Sequence, residues 1–379
     1  MPPSNTAAWL PAKSVKPLQI GPAPYTPPGP GQIVVKNSAV AINPLDWIKQ
    51  SLGDILLGHI KYPFILGGDV AGKVVEIGPG VRRFQVGDRV LGQAVSTAPD
   101  SNNPAEGGFQ QYTIIRELYA AAIPDFISYE EACVIPLTLA TAGYGLFHHD
   151  FLALDLPQVP APPANNKALI VTAGASSVGA NAVQLAVSAG YEVYSTSSPK
   201  NFDFVRKLGA AGVFDYHSKT LARDLLAAVR GKELAGAYAV GDGSVEACTE
   251  VLRRCGGTTD KKKKLLIAFA GAALPADKVS STLGLVAYAG SMAWWLGKRA
   301  VASRASGVRY KWIDGKDLLR EDNVVSRAVF RDFLPRALAE RQFVPAPPPL
   351  VVGTGLEKIQ EAMDLQMKGV SAQKIVVSL

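Results

Sequence analysis

Cysteine is scarce: Cys133, Cys248 and Cys255 are the whole supply, and no two are spaced as CxxC. Three thiols cannot make a disulfide framework, so a stapled secreted scaffold is excluded and a reducing compartment, the cytoplasm, is expected. Histidine is nearly as scarce. His59 and His217 have no partner at metal-ligand spacing, and the adjacent His148 and His149 diverge on a regular helix, so no shared ion is expected there. Long apolar runs are missing too. The longest uninterrupted apolar-plus-glycine stretch, residues 265–274, is too short to cross a bilayer. The opening MPPSNTAAWLPAK has no charged segment followed by an apolar one, so no export signal and no membrane anchor are expected. The formal net charge of +7 has one dense basic cluster, Lys261 to Lys264, with no aromatic stacking residues around it. That pattern suits small anionic ligands better than nucleic acid.

With 379 residues, 48% of them hydrophobic, the chain can fill two ordinary cores. Up to about residue 125 it reads as short strands punctuated by glycine and proline: GQIVVKNSAVAINP, VAGKVVEIG, GDRVLGQAV and FQQYTIIR, with no crossover helices between them. Ser128 followed by Glu131 is a capping box, so a helix is expected there, interrupted at Pro136. After the proline-rich LPQVPAPPANN, strands and helices alternate from Lys167: ALIVTA, YEVYST, VFDY, GAYAV, KLLIAFAG and LGLVAYAG read as strands. Such alternation predicts parallel βαβ units and a doubly wound sheet, hence an α/β fold class with a β-rich first part. Helices are expected at residues 324–341 and 356–368, and a last strand in KIVVSL.

Residues 172–181, TAGASSVGAN, join a buried-type strand to an apolar-faced helix. Gly174 and Gly179 occupy the first and third positions of a G-x-G-x-x-G turn, with Ala175, Ser176, Ser177 and Val178 between them. The first glycine permits the turn, the small middle residue lets a pyrophosphate approach the helix N-terminus, and the third allows close helix packing. A phosphate-free strand-to-helix turn is the alternative. An NAD site would place an acid about 20 residues after the first glycine. Here YEVYST ends in Ser197, Ser198, Pro199, Lys200 and Asn201: hydroxyls and an ammonium where the carboxylate would be. Ser198 before Pro199 reads as an N-cap whose free backbone donors favour a 2′-phosphate, and Tyr216 is placed to cover the adenosine. NADPH is therefore the expected cofactor.

VAINPLDW, LGGDVAGKVVEIG and VGDRV, followed by AGASSVG, resemble the medium-chain dehydrogenase/reductase superfamily over essentially the whole chain. The resemblance implies a GroES-like catalytic domain at residues 1–138, completed by 315–379, and a Rossmann domain at 139–314. AINPLD, SPKNFDFVRKLGA and VFDY are most similar to its quinone-oxidoreductase and trans-acting enoyl-reductase branch, and the C-terminal stretch resembles a fungal group often labelled zinc-binding or concanamycin-induced dehydrogenases. Zinc-dependent members carry a cysteine where this chain has Ile42 to Pro44 and Gly-His-Glu where it has Gly67, Gly68 and Asp69. Both soft ligands are missing, as are the cysteines of a structural zinc lobe in SNNPAEGG, so no metal is expected.

By the same resemblance, Asn43, Pro44 and Asp46 line the nicotinamide end. Lys49 lies beside the substrate, one position later than the Asp-Trp-Lys of relatives; a surface lysine is the alternative. Thr141 meets the nicotinamide, or packs in the core, and Val370 and Ser371 reach the cofactor. Trp294 and Trp295 wall an apolar pocket, or serve packing. The reaction implied is reduction of an α,β-unsaturated carbonyl, an enone or an enoyl thioester, with a small apolar substrate and a polyketide synthase partner. Quinone reduction and a non-enzymatic NADPH-binding protein are the alternatives, and either a monomer or a homodimer is compatible with the sequence.

Overall fold

The computed structural model describes residues 3–241, 243–255, 265–270, 282–313 and 323–379. The lysine run Lys261 to Lys264 lies outside them. The chain forms two compact units: Met1–Thr138 with Lys316–Leu379, and Leu139–Gly315.

The first unit is antiparallel β at its centre. Its seven-stranded sheet runs Pro349–Thr354, Lys374–Ser378, Gln32–Ala41, Asp69–Ile77, Arg89–Gln93 and Ala120–Ala122, with Tyr112–Arg116 also paired to Gln32–Ala41. Its middle strands are buried on both faces over much of their length: Ile33, Val34, Val35, Val70, Ala71 and Leu91 are all buried. The last strand pairs Val376 with Ala41, so the end of the chain completes a sheet begun before residue 40. The mostly-strand reading of this part leaves out its helical elements. A helix, Pro44–Leu52, follows the strand Gln32–Ala41, opened by Pro44 at its first turn and closed by Gly53 at a φ of 59°. The capping box at Ser128 forms as expected: its side chain accepts from Glu131 N, and Glu131 returns to Ser128 N. Helices then span Tyr129–Ala132 and Pro136–Phe147.

Residues 324–341 are helical but not uniformly α. A π-helical stretch, Arg327–Phe333, separates Val324–Ser326 from Leu334–Ala339. Pro335 lacks an N–H and its ring crowds the carbonyl four residues back, and the widened turn just before it accommodates both.

The second unit is a six-stranded parallel sheet in spatial order Gly212–Asp215, Glu192–Ser197, Lys167–Val171, Glu233–Val240, Leu266–Ala270, Arg309–Trp312. Numbered along the chain that is 3-2-1-4-5-6, the Rossmann order. The central strand Lys167–Val171 is buried on both faces after its first residue, because helices cover the sheet on each side. At the switch point the Thr172 hydroxyl donates to Val240 O (2.9 Å) and accepts from Val240 N (2.7 Å), bracing the first and fourth strands. The segment LGLVAYAG is a correction to the expected strands. It lies in the helix Thr282–Ser306, since its apolar run continues through SMAWWLGKRAVAS without a breaker strong enough to stop a helix.

Candidate functional site

In the second unit the Gly174 turn is built by close backbone approach. A Cβ on Gly174 would stand 2.3 Å from Ser195 Oγ, and one on Gly179 would stand 2.1 Å from Ala173 O. Ala173 N donates to Thr196 Oγ1 (3.0 Å) and Gly174 N to Thr196 O (2.9 Å), tying the turn to the end of the second strand. Ser176 caps the helix Ser177–Ser188, its Oγ accepting from Gly179 N at 3.1 Å. Its oxygen is thus engaged with its own helix. The backbone N–H groups of Ser177 and Val178, in the first turn, are the donors a pyrophosphate would meet. Ala175 is buried, which keeps the inside of the turn tight.

The second strand ends at Ser197, whose hydroxyl donates to Ser198 O. Ser198 is the N-cap of the 3-10 turn Pro199–Asn201, with proline at its start, and Asn201 Nδ2 donates to Ser198 Oγ at 3.1 Å. Lys200 is exposed beside them. Tyr216 lies one residue past the strand Gly212–Asp215, half exposed, with its ring 4.1 Å from that of His217. It is a surface aromatic rather than a core-edge one. Residues from two strand ends therefore supply hydroxyls, an amide and an ammonium, and none of Ser197, Ser198, Lys200 or Asn201 is an acid.

In the first unit the centre is a buried network of side chains. Asn43, Asp69 and Lys374 are 1%, 0% and 5% exposed. Lys374 Nζ donates to Asn43 Oδ1 at 2.5 Å and pairs with Asp69 Oδ2 at 3.2 Å. Asn43 Nδ2 donates to the same Asp69 oxygen at 2.8 Å, and Leu137 N donates to the other at 2.6 Å. Both oxygens of the buried carboxylate are thus engaged, as a buried charge requires. Lys374 escaped the sequence reading. Its only signal was a lysine opening the apolar strand KIVVSL, at a position whose alternation points inward.

Asp46 sits next to this network. Its Oδ2 accepts from Asn43 N (2.7 Å) and its Oδ1 from Gly67 N (3.2 Å), so the carboxylate closes the helix start onto the loop before Asp69. Burial pushes its pKa up to about 7, against the lowering effect of the Asn43 backbone bond; the Asp69 charge adds to the rise. Pro44 is exposed at the head of the helix. Cys133 is buried, and burial, reinforced by the Asp69 charge, holds its thiol well above the ordinary range. It is a packing group and not a nucleophile.

The remaining expectations fall out differently. Lys49 is fully buried, which removes the surface-lysine alternative. Its ammonium donates to Leu57 O (2.9 Å), Gly53 O and Asp54 Oδ1 (3.3 Å each), so its three donors hold the turn after the helix and none is left for a substrate. Thr141 is half-buried in the helix Pro136–Phe147, and its carbonyl accepts from Tyr238 Oη. Val370 and Ser371 are exposed just before the last strand. Trp295 packs on Phe269 at 5.4 Å and donates to Glu246, while Trp294 is 68% exposed. The tryptophans thus point apart rather than forming one wall.

Whether the first unit fits a catalytic zinc is decided by space and donors. A side chain on Gly68, where zinc-dependent relatives carry histidine, would begin 2.7 Å from Leu137 Cδ1. The position beside Asp69 is filled by the Lys374 ammonium. Cys133, whose thiol feels the Asp69 charge, offers a single soft ligand where a catalytic zinc needs about three protein ligands, so these residues do not fit the metal. The lobe at residues 101–110 is held without thiolates: buried Glu106 takes Arg116 Nε at 2.8 Å. A different group does gather ligand atoms. The helix ends at Phe147, so His148 and His149 lie beyond it, and with Asp150 their ligand atoms come within 4.8 Å of one another. Off the helix, the two adjacent rings are free to converge, contrary to the divergence expected on a regular helix. Asp150 is already paired with Lys311 at 3.3 Å, and that cation holds its carboxyl below the usual range.

Residues 29–125 match the family described as "Alcohol dehydrogenase GroES-like domain". "Dehydrogenase pigH" of Monascus ruber is 47% identical over 377 residues, covering 100% of both chains. "Trans-enoyl reductase himH" of Aspergillus japonicus is 36% identical, covering 99% of this chain and 97% of its own. Among solved structures, the "CurK enoyl reductase" superposes with a TM-score of 0.70 at 21% identity over 99% of each chain, and the quinone oxidoreductase from Coxiella burnetii with 0.64 at 19% over 99% of each. These two likenesses speak to the fold alone. Matched from end to end by fungal dehydrogenases and reductases, and built from a GroES-like unit and a 3-2-1-4-5-6 Rossmann sheet, the chain belongs to the medium-chain dehydrogenase/reductase superfamily of oxidoreductases.

Proposed function

We propose that the chain is an NADPH-dependent, metal-independent reductase of the C=C bond in α,β-unsaturated carbonyls, acting on an enone or an enoyl thioester. The observation that carries this reading is the Asn43, Asp69, Lys374 network. Reducing a simple ketone leaves a full alkoxide, for which a Lewis-acid metal is the usual stabiliser. A conjugated C=C spreads the charge over an enolate, which hydrogen-bond donors can hold. A first unit whose polar centre is closed by an internal ammonium suits the second chemistry.

A bound nicotinamide supplies the hydride. The chain's own residues bind and orient. The Ser177 and Val178 N–H groups favour the pyrophosphate, and Gly174 and Gly179 let it come close. Ser197, Ser198, Lys200 and Asn201 favour the 2′-phosphate by charge and donors, and the exposed Tyr216 ring offers a face to the adenine. Asp69 and Lys374 fix the Asn43 amide, while Asp46 holds the helix start that carries it. The names of the trans-enoyl reductase relatives support an enoyl substrate; a polyketide synthase that carries the thioester, in the cytoplasm, completes the proposal.

The test is consumption of NADPH with a panel of enones, enoyl thioesters, quinones and aldehydes, with product analysis. A saturated carbonyl product supports the reading, and an allylic alcohol contradicts it. Turnover of quinones alone transfers the chain to the quinone branch. Tight NADPH binding with no turnover of any compound makes it a binding protein. NADH bound as well as NADPH in a fluorescence titration removes the cofactor assignment.

A further inference from the structure

Antiparallel pairing places Asp69 opposite both Ala41 and Gln93, and Ala41 opposite Val376. Directly paired residues project from the same face of a sheet, and residues two apart on a strand share a face. Lys374, Asp69 and Gln93 therefore lie on one face, and Asn43 reaches the same spot from beyond Ala41. Three of these four are bonded to each other. Gln93 is the fourth. It is 7% exposed, and its side-chain Oε1, shut off from solvent, has no hydrogen-bond partner among the described residues. The neighbouring edge strand Ala120–Ala122 pairs only as far as Gly92, so Gln93 stands at the first position where the sheet is no longer covered on that side.

An unpaired buried amide oxygen costs stability, about 1–3 kcal/mol. Such a group in a folded protein is expected to find its partner elsewhere, in water or a ligand. What surrounds it limits the kind of partner. Asp69 and Lys374 neutralise each other at 3.2 Å and the further ionisable group beside them, Asp46, is a carboxyl, so an incoming carboxylate meets no spare cation. A neutral polar group fits. Turned about its last torsion, the amide presents N–H where the oxygen now lies, and donates to a carbonyl.

We propose that Gln93 is a specificity-determining residue whose side-chain amide hydrogen-bonds the carbonyl oxygen of an uncharged substrate, a ketone or a thioester, and so selects against the free unsaturated acid. The proposal rests on the enoyl-reductase reading above. Crotonyl-N-acetylcysteamine thioester, 3-penten-2-one and crotonic acid are the probes, with NADPH, on wild type, Gln93→Leu and Gln93→Asn.

Wild type is expected to turn over the thioester or the ketone and to leave crotonic acid untouched. Gln93→Leu is expected to lose roughly 100- to 1,000-fold in kcat/KM on the neutral probes, the usual scale for one lost donor to a developing charge, with NADPH affinity unchanged. Its melting temperature without substrate is expected to hold or rise, because an unpaired buried oxygen has been removed. Gln93→Asn is expected to fall between the two in kcat/KM. Unchanged kcat/KM in Gln93→Leu overturns the proposal while leaving the reductase reading intact. A lower melting temperature together with parallel losses in activity and NADPH affinity makes Gln93 a packing residue and overturns it as well. Equal wild-type turnover of crotonic acid removes the selectivity. Wild type that consumes no NADPH with any neutral probe sinks the parent reading, and this proposal with it.

Discussion

The Gly174 turn and the Asp69 centre hold their polar groups by different means. In the second unit the donors are backbone N–H groups at a helix start, admitted by glycines whose Cβ positions are occupied by Ser195 and Ala173. In the first unit the polar groups are side chains from residues 43, 69 and 374, buried and satisfied by one another. A backbone site tolerates change in the side chains around it but not an added carbon. A side-chain site tolerates small changes of shape but not the loss of one charge.

The largest effect should come from Lys374→Met. It leaves Asp69 buried without its counter-charge, a loss of about 3–5 kcal/mol, read as a lower urea midpoint. Adding Asp69→Asn to that variant should recover part of the loss. A single variant as stable as wild type would mean that the network is not a unit. Next is Gly179→Ala, where the new methyl would meet the Ala173 carbonyl oxygen at 2.1 Å. Backbone cannot rotate aside, so we expect roughly 1–3 kcal/mol of destabilisation, with weaker nucleotide binding by fluorescence titration.

A pH-dependent effect, small per pH unit, follows from Asp46. Its folded pKa, about 7, exceeds the ordinary aspartate value of 3.8, so between those values the folded chain holds a proton that the unfolded chain has released. Stability is then greatest below the lower value and falls as pH rises to about 7, by at most about 1.4 kcal/mol per pH unit for one carboxyl. Urea midpoints at pH 5, 6, 7 and 8 should show the slope and its end. Asp46→Asn should flatten it, and an equally steep slope in that variant would assign the effect to another group. The smallest change expected is Lys200→Ala. Removal of one exposed ammonium should cost about 1 kcal/mol, near fivefold in NADPH affinity, with NADH unaffected.

Much of the second unit was legible because its cues are local. Gly174, Gly179 and the missing acid after Thr196 sit within one βαβ unit, and strand-helix alternation announces the sheet. LGLVAYAG was misread for a physical reason: a short run of apolar residues carries no period that separates a buried strand from a helix, and only its continuation to Ser306 decides. The first unit hid more. Asn43 and Asp46 stood out through AINPLD, but their partner Lys374 is 331 residues from Asn43, and no local pattern reports a pairing that distant. Lys49 looked like a reactive lysine in sequence, and only the carbonyls of Gly53 and Leu57 around it reveal a brace. Gln93 gave no signal at all, since its meaning lies in a bond it does not make.

The distance between Asn43 and Lys374 also has a temporal side. A ribosome adding about 5–20 residues per second needs tens of seconds to make the intervening chain. For that interval the nascent GroES-like sheet lacks both its closing strand and the ammonium that Asp69 requires. Until the last strand docks, that carboxylate has only water to meet the charge that Lys374 later neutralises.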